Sequence, residues 1–554
     1  MPFLLRLCYL SSMRRRILPL IAVMLLVMCV SKTHGAGPGI QESQLGKVEF
    51  PTSGSEHTQG HFLRGVAALH SFWYEEALEA FRAATKADPD FMMGYWGEAM
   101  AHNHPLWKEQ DTEAARQALA KIMDSAKLTP RERAYLNAVK VLYGEGDKGA
   151  RDKAYSADLE KIYRDYPEDL EAACFYALSL LAVASQSDER IRTRIQAGAL
   201  TLDVFNKNPD HPCAAHYTIH AFDDPDYAIL ALPAARRYAK IAPESHHALH
   251  MPAHIFLQLG MWPEAATSNE GGWAASVAWV KRKSLPLSHR DYHSLYWLQY
   301  VYLQQGRYKQ AEDLLALKQK DMAEASDHDA PAKSFGHKGD VGRYFDEMVA
   351  THVVETERWG AARLFDSSGS KNDGKARALP LYVRGLAAAQ KGSPDTATIL
   401  ADLQTLRKEA KDTDQSRRAK PYEVRELQVA AVARAAKGAY EEAIALIKNA
   451  ADLEEKLPPP SGPPEMIKPS HELFGEILLR AGRPKEAVPQ FATSLVRHPM
   501  RARSLLGAAR AAAQSGDRSG AVSAYATLFR VWAQADPDLS EVREAREYVK
   551  QASR

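Results

Sequence analysis

The chain has 554 residues, of which 45% are apolar and 25% are charged, and this is the composition of an ordinary soluble protein. Its length exceeds what one compact core accommodates, so several domains or one extended repeat array are expected. Without the first 35 residues, which carry five positive charges and no acids, the formal net charge falls from +2 to about −3. A weakly acidic chain lacks the basic footprint that binding to nucleic acid demands.

The N-terminal segment has the pattern of a secretory signal. An arginine triplet at 14–16 precedes an apolar run at 17–30, and small residues follow. This run is too short for a comfortable membrane span, so residues 1–35 are predicted to be a signal peptide and 36–56 a linker. The protein is then periplasmic or secreted, with no membrane span after removal of the signal. A lipid anchor on Cys29 and an uncleaved anchor are the weaker alternatives.

A repeated helical pattern begins after this linker. Gly65 and Ala77 are small where two antiparallel helices touch, Phe81 fills the gap, and Pro89 ends the second helix. These residues stand in the stretch HTQGHFLRGVAALHSFWYEEALEAFRAATKADPD. Their spacing resembles the tetratricopeptide repeat, whose period is about 34 residues.

The same pattern returns along the chain. Later copies are marked by Gly260, Gly306, Gly438, Gly475 and Gly516. Weaker copies begin near Met92, Leu170, Pro212, Arg343 and Ala378. The fold is therefore predicted to be all-α, a right-handed α-solenoid of tetratricopeptide-like helix-turn-helix repeats with a concave groove.

Interruptions of the pattern suggest soft domain boundaries. Loop-like and proline-rich stretches separate three groups of repeats. The predicted divisions are an N-terminal array with a histidine-rich groove at 57–322, a loop at 323–342, middle repeats at 343–457, a proline-rich insert at 458–467 and C-terminal repeats at 468–554.

Histidines cluster in the first array. Nine of the 20 histidines lie between residues 211 and 293, among them the motifs HYTIH, with His216 and His220, and HMPAH, with His250 and His254. Two histidines four residues apart share one face of a helix and can bind one metal ion. The glutamate of the zinc-protease motif is absent from both, which excludes a protease of that kind.

The repeat places the two motifs in register. The distance of 34 residues from His216 to His250 is also the distance from His220 to His254. The resemblance implies that the second, fifth and ninth residues of each first helix line the concave groove. In three successive repeats these residues are Cys213, His216, His220, His247, His250, His254, His293, Tyr296 and Tyr300.

This register predicts a transition-metal site. Four imidazoles are expected to aim at one ion of Zn, Cu or Fe, with Ni also compatible. The predicted core ligands are His216, His220, His250 and His254. Further groove residues that could join them are Cys213, His247 and His293. A histidine-lined groove that binds an anionic or peptide ligand without metal, and a purely structural polar network, stay open.

Four neighbouring residues have predicted supporting roles. Tyr296 and Tyr300 could act as a ligand, a proton donor or a redox partner, although aromatic groove linings are common. Asp223 and Asp224, just beyond the first histidine helix, could orient a ring N–H.

Other polar residues leave alternatives open. Cys174 and Cys213 would survive removal of the signal, and they could form one disulfide or remain thiols. Glu472 and Glu476 fall at the fifth and ninth places of their repeat, where they could meet a basic ligand or a second bound cation, or be solvated.

Two classes of function follow. The first is an exported solenoid that binds a metal ion, which in an enzyme would act as Lewis acid, water activator or redox centre. The alternative is a non-catalytic scaffold that binds a peptide or partner protein in the groove. Stretches such as HMPAHIFLQLGMWPEAATSN also resemble a group of exported bacterial tetratricopeptide repeat proteins. That resemblance brings no reaction with it, so catalytic residues stay unknown.

Overall fold

Antiparallel α-helices, packed in sequence order, build the protein. The computed structural model describes residues 44–184, 190–325, 340–367, 374–411 and 416–552. The predicted signal peptide, and most of the predicted loop at 323–342, lie outside these residues.

The helices before the histidine-rich segment form four successive pairs. Their bounds are α1 Glu56–His70, α2 Tyr74–Ala87, α3 Met92–Ala101, α4 Thr112–Leu119, α5 Pro130–Leu142, α6 Lys148–Asp165, α7 Leu170–Ala184 and α8 Arg190–Lys207. After α3, a short antiparallel ribbon joins β1 Asn103–His104 to β2 Glu109–Gln110 around a 3₁₀ turn at Pro105–Trp107.

The histidine-rich segment continues the same architecture. Its helices are α9 Pro212–Ala221, α10 Ala228–Ile241, α11 His246–His250, α12 Pro252–Gln258, α13 Trp262–Lys283, α14 Tyr292–Gln304 and α15 Tyr308–Glu324. A 3₁₀ turn at Leu287–His289 precedes α14. Here α11 and α12 together take the place of one first helix, and both pack against α13.

The remaining helices complete the array. They are α16 Phe345–Thr356, α17 Gly374–Gln390, α18 Asp395–Lys411, α19 Ser416–Ala436, α20 Tyr440–Glu454, α21 Ser470–Arg480, α22 Pro484–Arg497, α23 Ala502–Gln514, α24 Arg518–Val531 and α25 Ser540–Ala552. A 3₁₀ helix at Trp359–Ser367 follows α16. None of the described helices combines the length and the apolar character needed to cross a membrane.

Small residues let neighbouring helices approach around one phenylalanine. A Cβ atom on Gly65 or on Gly97 would overlap the fully buried ring of Phe81, which therefore lies between α1 and α3. Phe491 lies in the same way between Gly475 of α21 and Gly507 of α23. The predicted role of Phe81 and the all-α repeat fold are confirmed.

Glycines with left-handed backbone connect the helices of the histidine-rich pairs. Gly260 has φ +66° and Gly306 has φ +70°, values that residues with a Cβ atom adopt only with strain. The Cβ position of Gly260 also lies 2.5 Å from Met500, and that of Gly306 lies 2.8 Å from Ala535. Both turns therefore need glycine for conformation and for space.

The C-terminal repeats pack against the histidine-rich repeats. The indole Nε1 of Trp262 donates a hydrogen bond to the carbonyl oxygen of Met500 at 2.9 Å, and Trp532 Nε1 donates to Gln304 O at 3.1 Å. The side-chain oxygen of Gln304 also accepts from the backbone N–H of Ala502 at 3.1 Å. Residues more than 190 positions apart thus share one core.

The proline-rich segment between α20 and α21 contains no helix from residue 458 to 469. Its Pro460 carbonyl accepts a hydrogen bond of 2.7 Å from Gln258 Nε2 of α12. A Cβ atom on Gly462 would overlap the ring of Trp297 on α14. The segment therefore lies against the two helices that carry His254 and His293.

Candidate metal centre

Three histidines of α9 and α11 bring their ring nitrogens together. His216 and His220 lie one turn apart on α9, and their Nε2 atoms are 3.0 Å apart. Nε2 of His247, from α11, lies 3.1 Å from Nε2 of His216. We call these three residues the first triad.

The tautomer of His216 follows from its other ring nitrogen. Nδ1 lies 2.6 Å from the backbone carbonyl oxygen of His70, and because a carbonyl only accepts, Nδ1–H must donate. The Nε2 atom of the neutral ring then carries a lone pair directed at the other two histidines. Burial lowers the pKa of His216 to about 3, so the ring stays in the neutral form that binds metal.

The other two rings of the first triad are partly exposed, but they also favour the neutral form. Burial, and next the charge that His216 would carry, lower the pKa of both His220 and His247 well below the usual range for histidine. The ring of Phe72 packs against all three, with centroids 4.4 Å from His216, 5.6 Å from His220 and 5.7 Å from His247. The first triad is therefore a group of neutral imidazoles against an apolar wall.

A second triad repeats the arrangement on α11, α12 and α14. Nε2 of His250 lies 3.1 Å from Nε2 of His254, and the ring centroid of His293 lies 4.8 Å from that of His250. One ligand atom from each residue lies within 4.8 Å of the others. Trp297 forms the wall here, with its ring centroid 4.1 Å from that of His254.

Both close nitrogens of the second triad carry lone pairs. His250 Nδ1 lies 2.6 Å from Asn269 Oδ1, and Asn269 uses its Nδ2 to donate to Ala265 O, so the histidine is the donor. His254 Nδ1 donates to the Asp223 carboxylate at 2.7 Å. With both Nδ1–H groups committed, the neutral rings turn two lone pairs towards each other. Such a pair repels unless a cation, either a proton or a metal ion, lies between the nitrogens.

The histidines form two groups, whereas the sequence predicted that four of them would meet at one ion. That prediction combined His216, His220, His250 and His254. The structure instead joins each four-spaced pair to the histidine that opens the next repeat, His247 or His293. His247 lies at the start of α11 and its ring reaches back to α9, whereas His250, one turn later, faces α14.

The two triads are direct neighbours. Ring centroids are 6.2 Å apart between His220 and His254, and 6.3 Å apart between His247 and His250. Four of the six rings thus face a ring of the other triad at close range.

The second motif is interrupted by its own proline. α11 ends at His250 and α12 begins at Pro252, which has no N–H to continue the helical hydrogen bonds. Met251 between them keeps helical angles, φ −54° and ψ −34°, so the chain direction is preserved. His250 and His254 consequently still meet as the spacing predicts.

Three of the suggested groove residues lie elsewhere. Cys213 is buried and forms a disulfide with Cys174, with a Cα–Cα distance of 6.0 Å, so in this state it is not a ligand. Tyr296 stacks on Tyr344 with ring centroids 5.7 Å apart, and Tyr300 OH accepts a hydrogen bond from Arg501. Burial raises the pKa of both tyrosines, which neither triad includes.

The suggested supporting carboxylates divide into two kinds. Asp223 orients His254 through its Nδ1–H, which is the role that the sequence suggested for Asp223 and Asp224. Asp224 instead contacts Arg194 at 3.0 Å and accepts from the backbone N–H of Tyr227 at the start of α10.

The two glutamates of α21 meet cations of the chain itself. Glu472 is buried, and it pairs with Arg501 at 2.7 Å and with Lys468 at 3.0 Å. Glu476 lies 2.5 Å from the same Lys468 ammonium. Both carboxylates are therefore engaged by cations of the chain itself, which none of the alternatives from the sequence had named.

Sequence reasoning missed a buried cluster behind the first triad. Glu171 accepts from His70 Nε2 at 2.6 Å and from His211 Nε2 at 2.9 Å, while Tyr217 OH lies 2.9 Å from His70 Nδ1. Burial raises the pKa of Glu171, but the two histidines outweigh it and hold the pKa at about 2. The residues come from three segments, α1, α7 and the start of α9, with no shared motif, so no spacing in the sequence pointed to the cluster.

Solved structures of other proteins show a distant similarity to this chain. No protein-family model matches it, and no curated protein matches it. A tetratricopeptide repeat protein from Parabacteroides merdae is 12% identical, over 56% of this chain and all of its own, with a TM-score of 0.30. The APC/C hetero-tetramer Cut9-Hcn1 gives 12% identity over 90% of this chain and 76% of its own, with a TM-score of 0.32. Yeast Tom70 is 14% identical over 90% of this chain and 88% of its own, with a TM-score of 0.28. By its own packed helix pairs, the chain has the fold of tetratricopeptide-type repeats.

Proposed function

We propose that the protein binds transition-metal ions through its two histidine triads. The observation that carries the proposal is the second triad, where the Nε2 atoms of His250 and His254 lie 3.1 Å apart with both Nδ1–H groups already donated. Metal–nitrogen bonds of roughly 2.0–2.1 Å put two tetrahedral ligands about 3.4 Å apart. A metal ion therefore turns a repulsive contact into two bonds with little movement of the rings.

The donor set narrows the choice of metal. Imidazole nitrogens suit Zn, Cu, Fe and Ni, whereas Mg and Ca prefer oxygen ligands. Three protein ligands leave an open position on a four-coordinate ion, which is the arrangement of catalytic rather than structural sites. An enzymatic role as Lewis acid, water activator or redox centre is compatible with this open position.

We also propose that the protein acts outside the cytoplasm. The signal predicted at 1–35 is the main support. The disulfide between Cys174 and Cys213 agrees with it, because such bonds persist in oxidising compartments.

The test is the metal content of protein purified without a histidine tag. We expect near-stoichiometric metal after reconstitution with Zn²⁺, and loss of that metal in the double variant His216→Ala/His250→Ala, which removes one ligand from each triad. Circular dichroism should show that the variant stays helical. The exposed His57 on α1 lies four residues from His61, so His57→Ala is the control that removes any surface binding by that pair and should leave the metal of the triads unchanged. Metal-free parent protein, or a double variant with unchanged metal content, would reject the proposal.

The alternative function, a scaffold for extended peptides, has one supporting observation. The chain's own proline-rich segment lies against Gln258 and Trp297 in the histidine-rich repeats. If that surface also takes peptides from other molecules, metal-free protein with the segment replaced by a glycine-serine linker should bind a synthetic LPPPSGPP peptide in calorimetry. If calorimetry detects no binding of the peptide, this support for the scaffold function is lost.

A further inference from the structure

We propose that the two triads hold copper as one dinuclear centre, and that this centre binds dioxygen as a peroxide between the two ions. The inference rests on the proposed metal binding. It specifies which metal is bound, how many ions share the centre and which small molecule they bind. It starts from the contact between the triads, because two isolated mononuclear sites would not need to touch.

The six rings form one continuous cluster. Across the triads, ring centroids are 6.2 Å apart for His220 and His254, and 6.3 Å apart for His247 and His250. Within the triads, the His254–His293 distance is 6.1 Å and the His220–His247 distance is 6.5 Å. The two centroid distances between the triads thus fall within the range found inside them, which runs from 4.7 Å for His216–His220 to 6.5 Å for His220–His247. Two ions in such a cluster are close enough for one diatomic ligand to join them.

Charge favours copper in its univalent state. All six ligands are imidazoles, which contribute no negative charge when neutral. Two carboxylates lie near the second triad: Asp223 hydrogen-bonds Nδ1 of His254, and the buried Asp291 lies within electrostatic reach of His250 and His293. Together they offset two positive charges. Two divalent ions would bring four positive charges into a largely buried site, and uncompensated buried charge is strongly unfavourable. Two Cu(I) ions halve that charge, and copper accepts imidazole ligands readily.

The binding step balances without another reactant. Each Cu(I) ion gives one electron to dioxygen, so both ions become Cu(II) and the O=O double bond becomes the single bond of peroxide. The peroxide dianion bonds to both ions and cancels two of the four positive charges. No proton is taken up. Release of dioxygen returns both electrons and restores two Cu(I) ions.

The surroundings suit a small apolar ligand. His216, His250 and His254 are buried, whereas His220, His247 and His293 are partly exposed, so each triad has an approachable side. Phe72 closes the first triad and Trp297 closes the second. These rings keep bulk water from one side of each ion, and dioxygen, being small and uncharged, does not need a polar entry path.

The experiment loads metal-free protein with Cu(I) under anaerobic conditions and then admits oxygen. We expect two Cu(I) ions per chain, then an intense near-ultraviolet charge-transfer band, and silence in electron paramagnetic resonance because the two Cu(II) spins couple through the bridge. Removal of oxygen should reverse the band. One ion per chain, or a Cu(II) resonance that accounts for both ions, would overturn the inference.

Single histidine variants test whether the oxygen band needs both triads. His220→Ala weakens the first triad and His293→Ala the second, so each should abolish the oxygen band while the intact triad still binds one ion. His57→Ala should keep the band. Zn²⁺ binding by the same variants, at one ion per chain, shows that they are folded. Should the parent bind Zn²⁺ but show no oxygen band, this inference fails alone; should it bind neither metal, the proposed function fails as well.

Discussion

At the scale of single residues, the tautomers of the triad histidines depend on groups that are not themselves ligands. The carbonyl of His70 holds Nδ1–H of His216, the amide of Asn269 holds that of His250, and Asp223 holds that of His254. In each case Nε2 is left with its lone pair inside the cluster. A ring fixed in this way loses little conformational freedom when it binds an ion.

Asp223 accepts the Nδ1–H of His254 and so controls how that ligand is oriented. Asp223→Asn keeps the shape but removes the charge that orients His254, so the affinity of the second triad should fall by about 10–100-fold. A competition titration with a chromophoric chelator, made in the His216→Ala background, reports on the second triad alone. Asp224→Asn is the matched control, because the neighbouring carboxylate pairs with Arg194 and contacts no triad ring. Equal affinities for the two variants would contradict the assigned role of Asp223.

At the scale of helices, long-range bonds hold α9 in place. The Cys174–Cys213 disulfide joins α7 to the first turn of α9, three residues before the first triad begins at His216. His211, just ahead of α9, pairs with Glu171 of α7 at 2.9 Å. The helix that carries the first triad is thus attached to its neighbour by a covalent bond and by a buried hydrogen bond.

Removal of the disulfide should destabilise the protein without unfolding it. The bond closes a loop with a sequence separation of 39, for which chain entropy predicts a contribution of about 4 kcal/mol. Cys174→Ala/Cys213→Ala should therefore unfold at a lower denaturant concentration than the oxidised parent, as followed by circular dichroism. Reduced parent protein should behave like the variant. An unchanged midpoint, together with two reactive thiols in the parent, would show that the bond does not form.

At the scale of the whole array, residues far apart in sequence cover the site. The segment between α20 and α21 hydrogen-bonds Gln258 through Pro460, and Gln258 also donates to Asp223 at 3.3 Å. Gly462 lies on the Trp297 ring that closes the second triad. The proline-rich segment is therefore linked to the ligand His254 through only two intervening side chains.

Displacement of this segment should change how fast metal is exchanged. Gly462→Val introduces side-chain atoms where a Cβ already overlaps Trp297, so the segment must move away from α14. We expect faster removal of metal by a chelator in stopped-flow measurements, with unchanged stoichiometry at equilibrium. Gly360→Val is the control, because its Cβ position has open space around it. Identical rates in both variants would mean that the segment does not restrict access.

The sequence by itself determined the features that depend on short spacing. Gly65 and Phe81 mark a helix pair because a large side chain on one helix needs a small residue opposite it on the next. This requirement can be recognised within a single repeat. His216 and His220 meet because residues four apart share a helix face. The repeat period then places the second pair on an equivalent helix. For these features, local geometry leaves few alternatives.

Only the tertiary structure decided how the histidines are grouped and what surrounds them. Whether His247 turns towards α9 or α14 depends on how two helices pack, and periodicity does not contain that angle. The partner of His216 is a carbonyl 146 residues earlier in the chain, and a segment 202 residues beyond Gln258 lies over the second triad. Contacts of this kind arise from the stacking of whole repeats. A residue's sequence neighbours therefore fix its phase on a helix, but not which residues it meets across the groove.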